Sequence, residues 1–173
     1  MTIVLGIDPG SRITGYGLVN VIGNRHEYVG SGCIRTGSGE LPERLGRIQQ
    51  GLDEVIRSFC PQEAAIEQVF VHRSAGSALK LGQARGAAIL TAVMAGLSVA
   101  EYAAPTIKQA VTGTGGADKA QVAHMVRVML GIRGDLQADA ADALAIAICH
   151  VHTQRGLERL VGARGFRRNR LRG

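Results

Sequence analysis

The chain has 173 residues, 46% of them hydrophobic, and a net charge of +6 at pH 7. This length suits one domain with a real core, and the hydrophobic content excludes a disordered chain. No basic stretch followed by an apolar segment opens the sequence, and no apolar run approaches the ~18 residues of a membrane span. We therefore expect neither a signal peptide nor a transmembrane helix.

The positive charge is concentrated at the C-terminus. Residues 1–163 hold 15 basic and 14 acidic side chains, and the last ten residues add five arginines and no acid. The five are Arg164, Arg167, Arg168, Arg170 and Arg172. Such a tail favours a polyanionic partner through nonspecific attraction. The alternative is a disordered tail that only aids solubility.

The three cysteines, Cys33, Cys60 and Cys149, are an odd number without CxxC spacing. Each lies in an apolar context, which favours reduced core thiols in a cytosolic protein. Zinc is not indicated, because no His/Cys cluster has zinc-ligand spacing.

The first part of the chain predicts an antiparallel meander of three strands over 3–8, 14–19 and 28–36. The first strand is apolar and ends in Asp8, which is followed by a Pro-Gly break. Short connections make the antiparallel arrangement the simplest one. The glycines of the second strand, among them Gly15 and Gly17, suggest close approach of another backbone.

In the middle of the chain, apolar residues recur at helical spacing. Apolar residues predict an amphipathic helix over 42–59, with Pro42 in its first turn. The strand that follows over 63–69 contains Glu67, and the intervening helix implies a crossover to a parallel neighbour. Residues 74–95 form a predicted helix rich in Ala and Gly, which can pack closely on the sheet or on the same helix of a second subunit. Helix-on-helix dimerisation is therefore a hypothesis.

The last part predicts a fifth strand over 98–103, a short helix over 105–111, a helix capped by Asp118, and a final helix over 137–153. There is no internal repeat or domain break. We expect one domain over 1–155 and a basic, flexible C-terminal tail over 156–173.

Two aspartates of the final helix stand in unusual surroundings. Asp139 and Asp142 are three residues apart in an Ala-rich segment, so they share one helix face. The alternative is helix capping, with Asp139 at the N-cap and Asp142 one turn in.

Together with Asp8 and Glu67, the two aspartates favour a metal site over helix capping. Asp8 ends the first strand, and Glu67 lies in an apolar strand that can pair beside it. Four carboxylates brought together repel strongly, and a hard divalent cation, Mg²⁺ or Mn²⁺, neutralises them best. Two such ions ~3.5–4 Å apart can activate a water and stabilise the leaving oxygen in phosphodiester cleavage. Spacing alone does not prove that the four acids meet.

Four separated motifs resemble the RuvC family of bacterial Holliday junction resolvases, over about residues 3–152. They are Gly6-Ile7-Asp8-Pro9-Gly10, Ile66-Glu67-Gln68-Val69-Phe70, Ala78-Leu79-Lys80-Leu81-Gly82-Gln83-Ala84-Arg85-Gly86 and Asp139-Ala140-Ala141-Asp142-Ala143. The order of elements is also that of the RNase H-like fold of the retroviral integrase superfamily. That α/β fold has a five-stranded mixed sheet flanked by helices.

The resemblance implies a homodimer of the bacterial cytoplasm that binds four-way DNA junctions. It would make paired symmetric nicks, one per subunit, in homologous recombination and DNA repair. By the same resemblance Asp8, Glu67, Asp139 and Asp142 hold Mg²⁺, with Mn²⁺ as a substitute and two ions per site during cleavage. The RuvA–RuvB branch-migration complex is a further implied partner.

The resemblance also assigns roles to two lysines. Lys108 and Lys119 match lysines that the family uses at the active site, where each could neutralise the scissile phosphate or an adjacent one. The alternative is that both are solvated helix lysines.

Candidate DNA contacts follow the Glu67 strand. Phe70 matches an aromatic residue that in the RuvC family stacks on a base near the crossover, an interaction worth ~1–3 kcal/mol per base. The alternative is an ordinary core phenylalanine. Arg73, Lys80 and Arg85 are candidate contacts to backbone phosphates.

Other functions remain open on the sequence alone. An RNA/DNA-hybrid nuclease shares the metal chemistry but needs 2′-OH recognition. A nucleotide-binding protein of the actin or sugar-kinase type normally needs two such domains. A noncatalytic DNA-binding dimer gains nothing from acids that face phosphate. No Walker-type or GxGxxG motif supports an NTPase or a dinucleotide-binding protein.

Overall fold

The computed structural model describes residues 1–69 and 75–169, with side chains of the last helix described as far as Leu157. Phe70, Arg73, Arg170 and Arg172 therefore lie outside the described residues. The strands are β1 (Thr2–Asp8), β2 (Ile13–Ile22), β3 (Arg25–Arg35), β4 (Glu63–Glu67) and β5 (Ser98–Tyr102). The helices are α1 (Leu41–Phe59), α2 (Ala75–Met94), α3 (Ala104–Thr112), α4 (Lys119–Leu130) and α5 (Ala138–Asn169).

The strands form one mixed sheet in the order β3-β2-β1-β4-β5. The predicted meander is confirmed, because β1–β2 and β2–β3 are antiparallel. The predicted crossover is confirmed too, because β4 lies parallel to β1 and β5 lies parallel to β4. The β1–β4 ladder ends at the pair Ile7–Ile66, so Asp8 and Glu67 each follow directly at the same edge of the sheet.

Helices cover both faces of the sheet and bury two apolar clusters. Val4, Val19 and Ala65 belong to the cluster on the side of α3, α4 and α5. Their neighbours in the strands, Leu5 and Ile66 among them, face α1 and α2. This alternation is the two-residue period of strand side chains. Glu67, one residue after Ile66, therefore points to the side of α5.

Three glycines bring α5 unusually close to the sheet. A Cβ at Gly6 would stand 2.0 Å from the Ala143 carbonyl oxygen, and one at Gly15 would stand 2.0 Å from that of Asp139. A Cβ at Gly17 would stand 2.6 Å from Leu144 Cγ. The close approach that the sequence suggested for β2 is thus the approach of α5, whose first turns rest on β1 and β2.

The predicted start of α4 is confirmed, whereas the predicted end of α5 is wrong. Asp118 caps α4 through a capping box with Gln121, as predicted. By contrast, α5 runs to Asn169, so the predicted end at residue 153 is wrong. Residues 154–169 contain Leu, Glu, Ala and Arg and no proline, which lets the helix continue. The division between a domain over 1–155 and a tail over 156–173 stays a prediction.

The cysteines are all free, but they do not share one environment. Cys149 is buried, Cys33 is partly buried and Cys60 is exposed. The prediction of a core thiol is therefore wrong for Cys60, which ends α1 in the left-handed region with φ 47°. A helix end at the surface exposes this position even though its sequence neighbours are apolar.

Among the described residues, every helix is either too short or too polar to cross a bilayer.

Candidate active site

The fold brings the four predicted carboxylates to one edge of the sheet. Asp8 and Glu67 end β1 and β4, and Asp139 lies in the first turn of α5. Asp8 pairs in register with Gly15, and Gly15 lies against the backbone of Asp139. Asp142 follows one helical turn later on the same face. Asp139 is inside the helix rather than at its N-cap, so the capping alternative does not describe it.

Burial and mutual repulsion change the acidity of two of the four carboxyl groups. The pKa of Asp8 is raised to about 7, first by burial and then by the charges of Asp142, Glu67 and Asp139, while Lys119 lowers it. The pKa of Glu67 is also raised, first by burial and then by Asp142, while Lys119 and Lys108 lower it. With four carboxylates beside two lysines, the cluster has more acidic than basic side chains, and repulsion among the acids adds to the effect of burial.

Both predicted lysines border the same cavity as two of the acids. This cavity of about 70 Å³ is lined by Glu67, Asp142, Lys108 and Lys119 over an apolar wall; the wall residues are Ala104, Ile107, Val122, Ala145 and Ile146. Lys119 Nζ donates a hydrogen bond of 2.5 Å to Asp142 Oδ2. The pKa of Lys119 is raised, mainly by this hydrogen bond. Both lysines thus lie beside two of the acids, and the active-site roles that the resemblance assigns to them stay a prediction.

The acids fit a hard divalent cation by their chemistry. Four carboxylates supply only oxygen donors, and an Asp8 carboxyl whose pKa is about 7 gains most from added positive charge. Among the described residues, no group of three or more His, Cys, Asp or Glu side chains is arranged so that it could hold a metal ion. Asp142 is instead paired with Lys119. The metal-ligand set of Asp8, Glu67, Asp139 and Asp142 therefore stays a prediction.

The turn after Asp8 is held by residues that the sequence did not single out. Buried Thr14 donates a hydrogen bond of 3.0 Å to the Gly10 carbonyl. Buried Thr36 donates to the carbonyls of Ser11 and Arg12, and Arg44 of α1 also donates to the Ser11 carbonyl. Most of these contacts join distant parts of the chain, so no local pattern could reveal them.

A buried histidine fastens α5 to the two strands beside the site. His150 is 2% exposed, with Nε2 2.6 Å from Glu63 Oε2 and Nδ1 2.8 Å from the Tyr102 hydroxyl. Helix α5, which supplies two of the acids, is therefore fixed to β4 and β5 by polar bonds as well as by packing.

The candidate DNA contacts have different surroundings. Lys80 is exposed on α2. Arg85 is partly buried and bonded within the protein, to the Glu67 carbonyl and to Glu101. Phe70 and Arg73 lie outside the described residues, so their predicted roles are not addressed by the structure.

The chain matches a known protein family over most of its length. A sequence model of the family described as "Crossover junction endodeoxyribonuclease RuvC" matches residues 4–150. The chain belongs to this family. RuvC of Photobacterium profundum, described in the same words, is 60% identical over 173 residues, which cover 99% of this chain and 100% of the relative. RuvC of Saccharophagus degradans is also 60% identical, over 99% of each chain.

Solved structures agree with this membership. Thermus thermophilus RuvC, in complex with Holliday junction substrate, is 37% identical and has a TM-score of 0.84 over 90% of this chain and 96% of its own. The yeast mitochondrial Holliday junction resolvase Ydc2 has a TM-score of 0.67 over 90% of this chain and 80% of its own, and its 15% identity supports the fold alone. The RNase H-like fold class predicted from the sequence is confirmed.

Proposed function

We propose that this protein is an endodeoxyribonuclease that resolves four-way DNA junctions in homologous recombination and repair, by paired, symmetric, metal-dependent nicks. One observation carries the proposal. Acids from β1, β4 and α5 meet at one sheet edge beside two lysines, in a chain of the RuvC family. A phosphodiester needs charge neutralisation and alignment of a water rather than a protein nucleophile, and these side chains supply both.

The family consists of nucleases that depend on divalent metal ions, and the acids of this chain would hold such an ion. We assign this role to Asp8, Glu67, Asp139 and Asp142, with Mg²⁺ as the ion, Mn²⁺ as a substitute and two ions per site during cleavage. When bound, the metal lowers the pKa of a water and stabilises the leaving oxygen.

Other residues of the chain meet the phosphate charge, keep water from one side of the site and hold the turn after Asp8. Lys108 and Lys119 border the cavity beside Glu67 and Asp142, so their ammonium groups are placed to meet the charge of a phosphate there. The apolar wall on α3, α4 and α5 keeps water away from one side, which strengthens those charge interactions. The Thr14 and Thr36 bonds hold the turn after Asp8, and so fix the direction of its carboxylate.

Helix α2 supports a homodimer. Large apolar side chains on its outer face are exposed, with Leu79 64%, Leu90 59%, Val93 53% and Met94 80% accessible. The opposite face, with Ala84, Ala88 and Ala92, is buried against the sheet and α1. An apolar outer face of this kind is typical of an interaction surface. A symmetric dimer through α2 would present two identical sites to two equivalent strands of a junction.

Location and a further partner complete the proposal. The relatives are bacterial, and all three cysteines are free thiols, which suits the bacterial cytoplasm. We also assign the RuvA–RuvB branch-migration complex as a partner, on family resemblance.

The test is cleavage of a synthetic four-way junction whose strands are labelled one at a time. We expect nicks at symmetric positions in two strands, only with Mg²⁺ or Mn²⁺, and ends that DNA ligase can seal. A linear duplex and an RNA/DNA hybrid of the same sequence should be cut far more slowly. Equal cutting of the hybrid would favour a hybrid nuclease, and no cutting of the junction with metal would refute the proposal.

A further inference from the structure

Arg85 connects helix α2 to the end of the strand that carries Glu67. Its Nε donates a hydrogen bond of 3.0 Å to the Glu67 backbone carbonyl. Its Nη2 lies 2.5 Å from Glu101 Oε2, and the Arg85 side chain is 20% exposed. A single guanidinium therefore joins α2, β4 and β5.

The contact lies on the face of the sheet away from the acid cluster. Glu101 pairs in register with Ile66, whose side chain packs among residues of α1 and α2. The Glu67 side chain points to the other face, where it lines the cavity with Asp142 and Lys119. Arg85 thus reaches Glu67 only through the backbone.

The position is one where an anchor matters. Glu67 is the last residue of β4, and the β1–β4 ladder has already ended at Ile7–Ile66. Beyond it, the Gln68 amide donates a bond of 2.8 Å to the Tyr102 carbonyl. The Arg85 bond and this backbone bond together fix the peptide that sets the direction of the Glu67 side chain.

We propose that Arg85 is a positioning residue for the Glu67 carboxylate, and that Glu101 in turn orients Arg85. The planar guanidinium serves two acceptors at once, which a lysine cannot do in the same fixed geometry. This role replaces the backbone-phosphate contact expected from the sequence. It rests on the proposed function, because the direction of Glu67 affects catalysis only if the cluster is the nuclease site.

The test compares Arg85→Ala, Arg85→Lys and Glu101→Gln with the unchanged protein. We measure junction affinity in EDTA, single-turnover cleavage at saturating junction and Mg²⁺, and hydrogen exchange of the Gln68 amide without metal or DNA. Arg57→Ala is the matched control, because Arg57 pairs only with Asp53 on the surface of α1 among the described ion pairs and is 78% exposed.

Arg85→Ala should slow cleavage by about 10–100-fold, the usual effect of losing a residue that orients a metal ligand, with junction affinity within about twofold. Arg85→Lys keeps the charge and should recover only part of the rate. Glu101→Gln should also slow cleavage. The Gln68 amide should exchange faster in Arg85→Ala and stay unchanged in Arg57→Ala.

A phosphate contact would give the opposite pattern. Arg85→Ala would then weaken junction binding with an unchanged rate at saturation, and Glu101→Gln, which frees the guanidinium, would tighten binding. Either result overturns the proposal, and so does unchanged Gln68 exchange in both Arg85 variants. If the unchanged protein does not cut junctions, the proposed function fails, and the Gln68 exchange still decides whether Arg85 anchors the end of β4.

Discussion

Lys119 Nζ lies 2.5 Å from Oδ2 of Asp142, so a carboxylate that is predicted to bind metal accepts a hydrogen bond from a lysine of α4. The pKa of Lys119 is raised by this hydrogen bond and by the charges of Asp142, Asp8 and Glu67. Lys119 therefore acts as a built-in cation of the acid cluster. A divalent ion has to compete with it for Asp142.

Replacement of this lysine should separate metal binding from catalysis. Lys119→Met removes the competing charge, so we expect calorimetry on the DNA-free protein to give severalfold tighter Mg²⁺ binding. Junction cleavage at saturating Mg²⁺ should nevertheless fall by about 10²-fold, because a cation placed for the phosphate is lost. Lys80 is exposed on α2, so Lys80→Met is the control and should leave the Mg²⁺ affinity unchanged. Weaker Mg²⁺ binding by Lys119→Met would contradict the competition.

Asp8→Asn should abolish cleavage and spare binding. The amide keeps the size of the side chain but removes the negative charge, so junction affinity in EDTA should stay within about threefold while the single-turnover rate falls by at least about 10³-fold. Affinity is read by fluorescence anisotropy and cleavage by denaturing gels. Equal loss of both would mean that Asp8 is structural.

The same substitution should change the pH dependence of stability. The pKa of Asp8 is raised from 3.8 to about 7, first by burial and then by Asp142 and Glu67. Between these values the folded, metal-free protein binds more protons than the unfolded chain, so its stability falls as the pH rises from about 4 to about 7. The loss is on the order of 3 kcal/mol once partial screening by solvent is allowed for.

Calorimetric Tm values in EDTA from pH 5 to pH 8 check this effect. Asp8→Asn should unfold at a higher temperature than the unchanged protein, by roughly 5–10 °C at pH 8 and by much less at pH 5. The His26 pKa, lowered from 6.5 to about 4 by burial and by Arg155 and His152, gives an opposite slope between about pH 4 and pH 6.5 that is common to both proteins. Saturating Mg²⁺ should remove the difference by stabilising the unchanged protein. A difference that does not vary with pH would contradict the raised pKa.

Gly15 should tolerate no side chain. Gly15→Ala would put its Cβ 2.0 Å from the Asp139 carbonyl oxygen, so α5 has to move away from β2. We expect a loss of stability of about 3 kcal/mol, since overpacking against backbone is costly, and a large loss of cleavage because Asp139 is displaced. Urea unfolding and junction cleavage measure the two effects.

Gly46→Ala is the control for this substitution. Gly46 lies inside α1 with no atom within 4 Å of an added Cβ, so alanine should raise helix stability by about 0.5–1 kcal/mol and leave cleavage unchanged. Full activity of Gly15→Ala would show that α5 need not lie so close to the sheet.

Leu90→Glu should break the proposed dimer. Leu90 is 59% exposed on the apolar outer face of α2, where a buried charge in a dimer interface would be unfavourable. Sedimentation at micromolar concentration should give a monomer for Leu90→Glu and a dimer for Leu157→Glu, whose position on α5 is 53% exposed. A monomer for the unchanged protein would rule out the α2 dimer.

Much of the fold follows from local patterns in the sequence. The strands, the amphipathic α1, the cap at Asp118 and the crossover to β4 depend on spacing and on residues with strong turn or cap preferences, and all are confirmed. The meeting of Asp8 and Glu67 follows from the parallel pairing of their strands. The place of α5 was only hinted at by Gly15 and Gly17, since a glycine signals close approach without naming the partner.

Other features depend on contacts between distant residues and leave no local signal. The contact between Arg85 and Glu101 joins residues that are 16 positions apart on different elements, so no local pattern predicts it. Arg44, which holds the turn after Asp8, is 33 residues from Ser11 in the chain. The surface position of Cys60 depends on where α1 ends rather than on the polarity of its neighbours.

We propose that acids from three separate elements together hold the catalytic metal. Anomalous diffraction from crystals soaked in Mn²⁺ tests it most directly. The expected result is an ion bonded to Asp8 and to at least two of Glu67, Asp139 and Asp142, with no such peak in Asp8→Asn crystals. A Mn²⁺ ion bound elsewhere, with this cluster empty in crystals that still cut junction DNA, would contradict it.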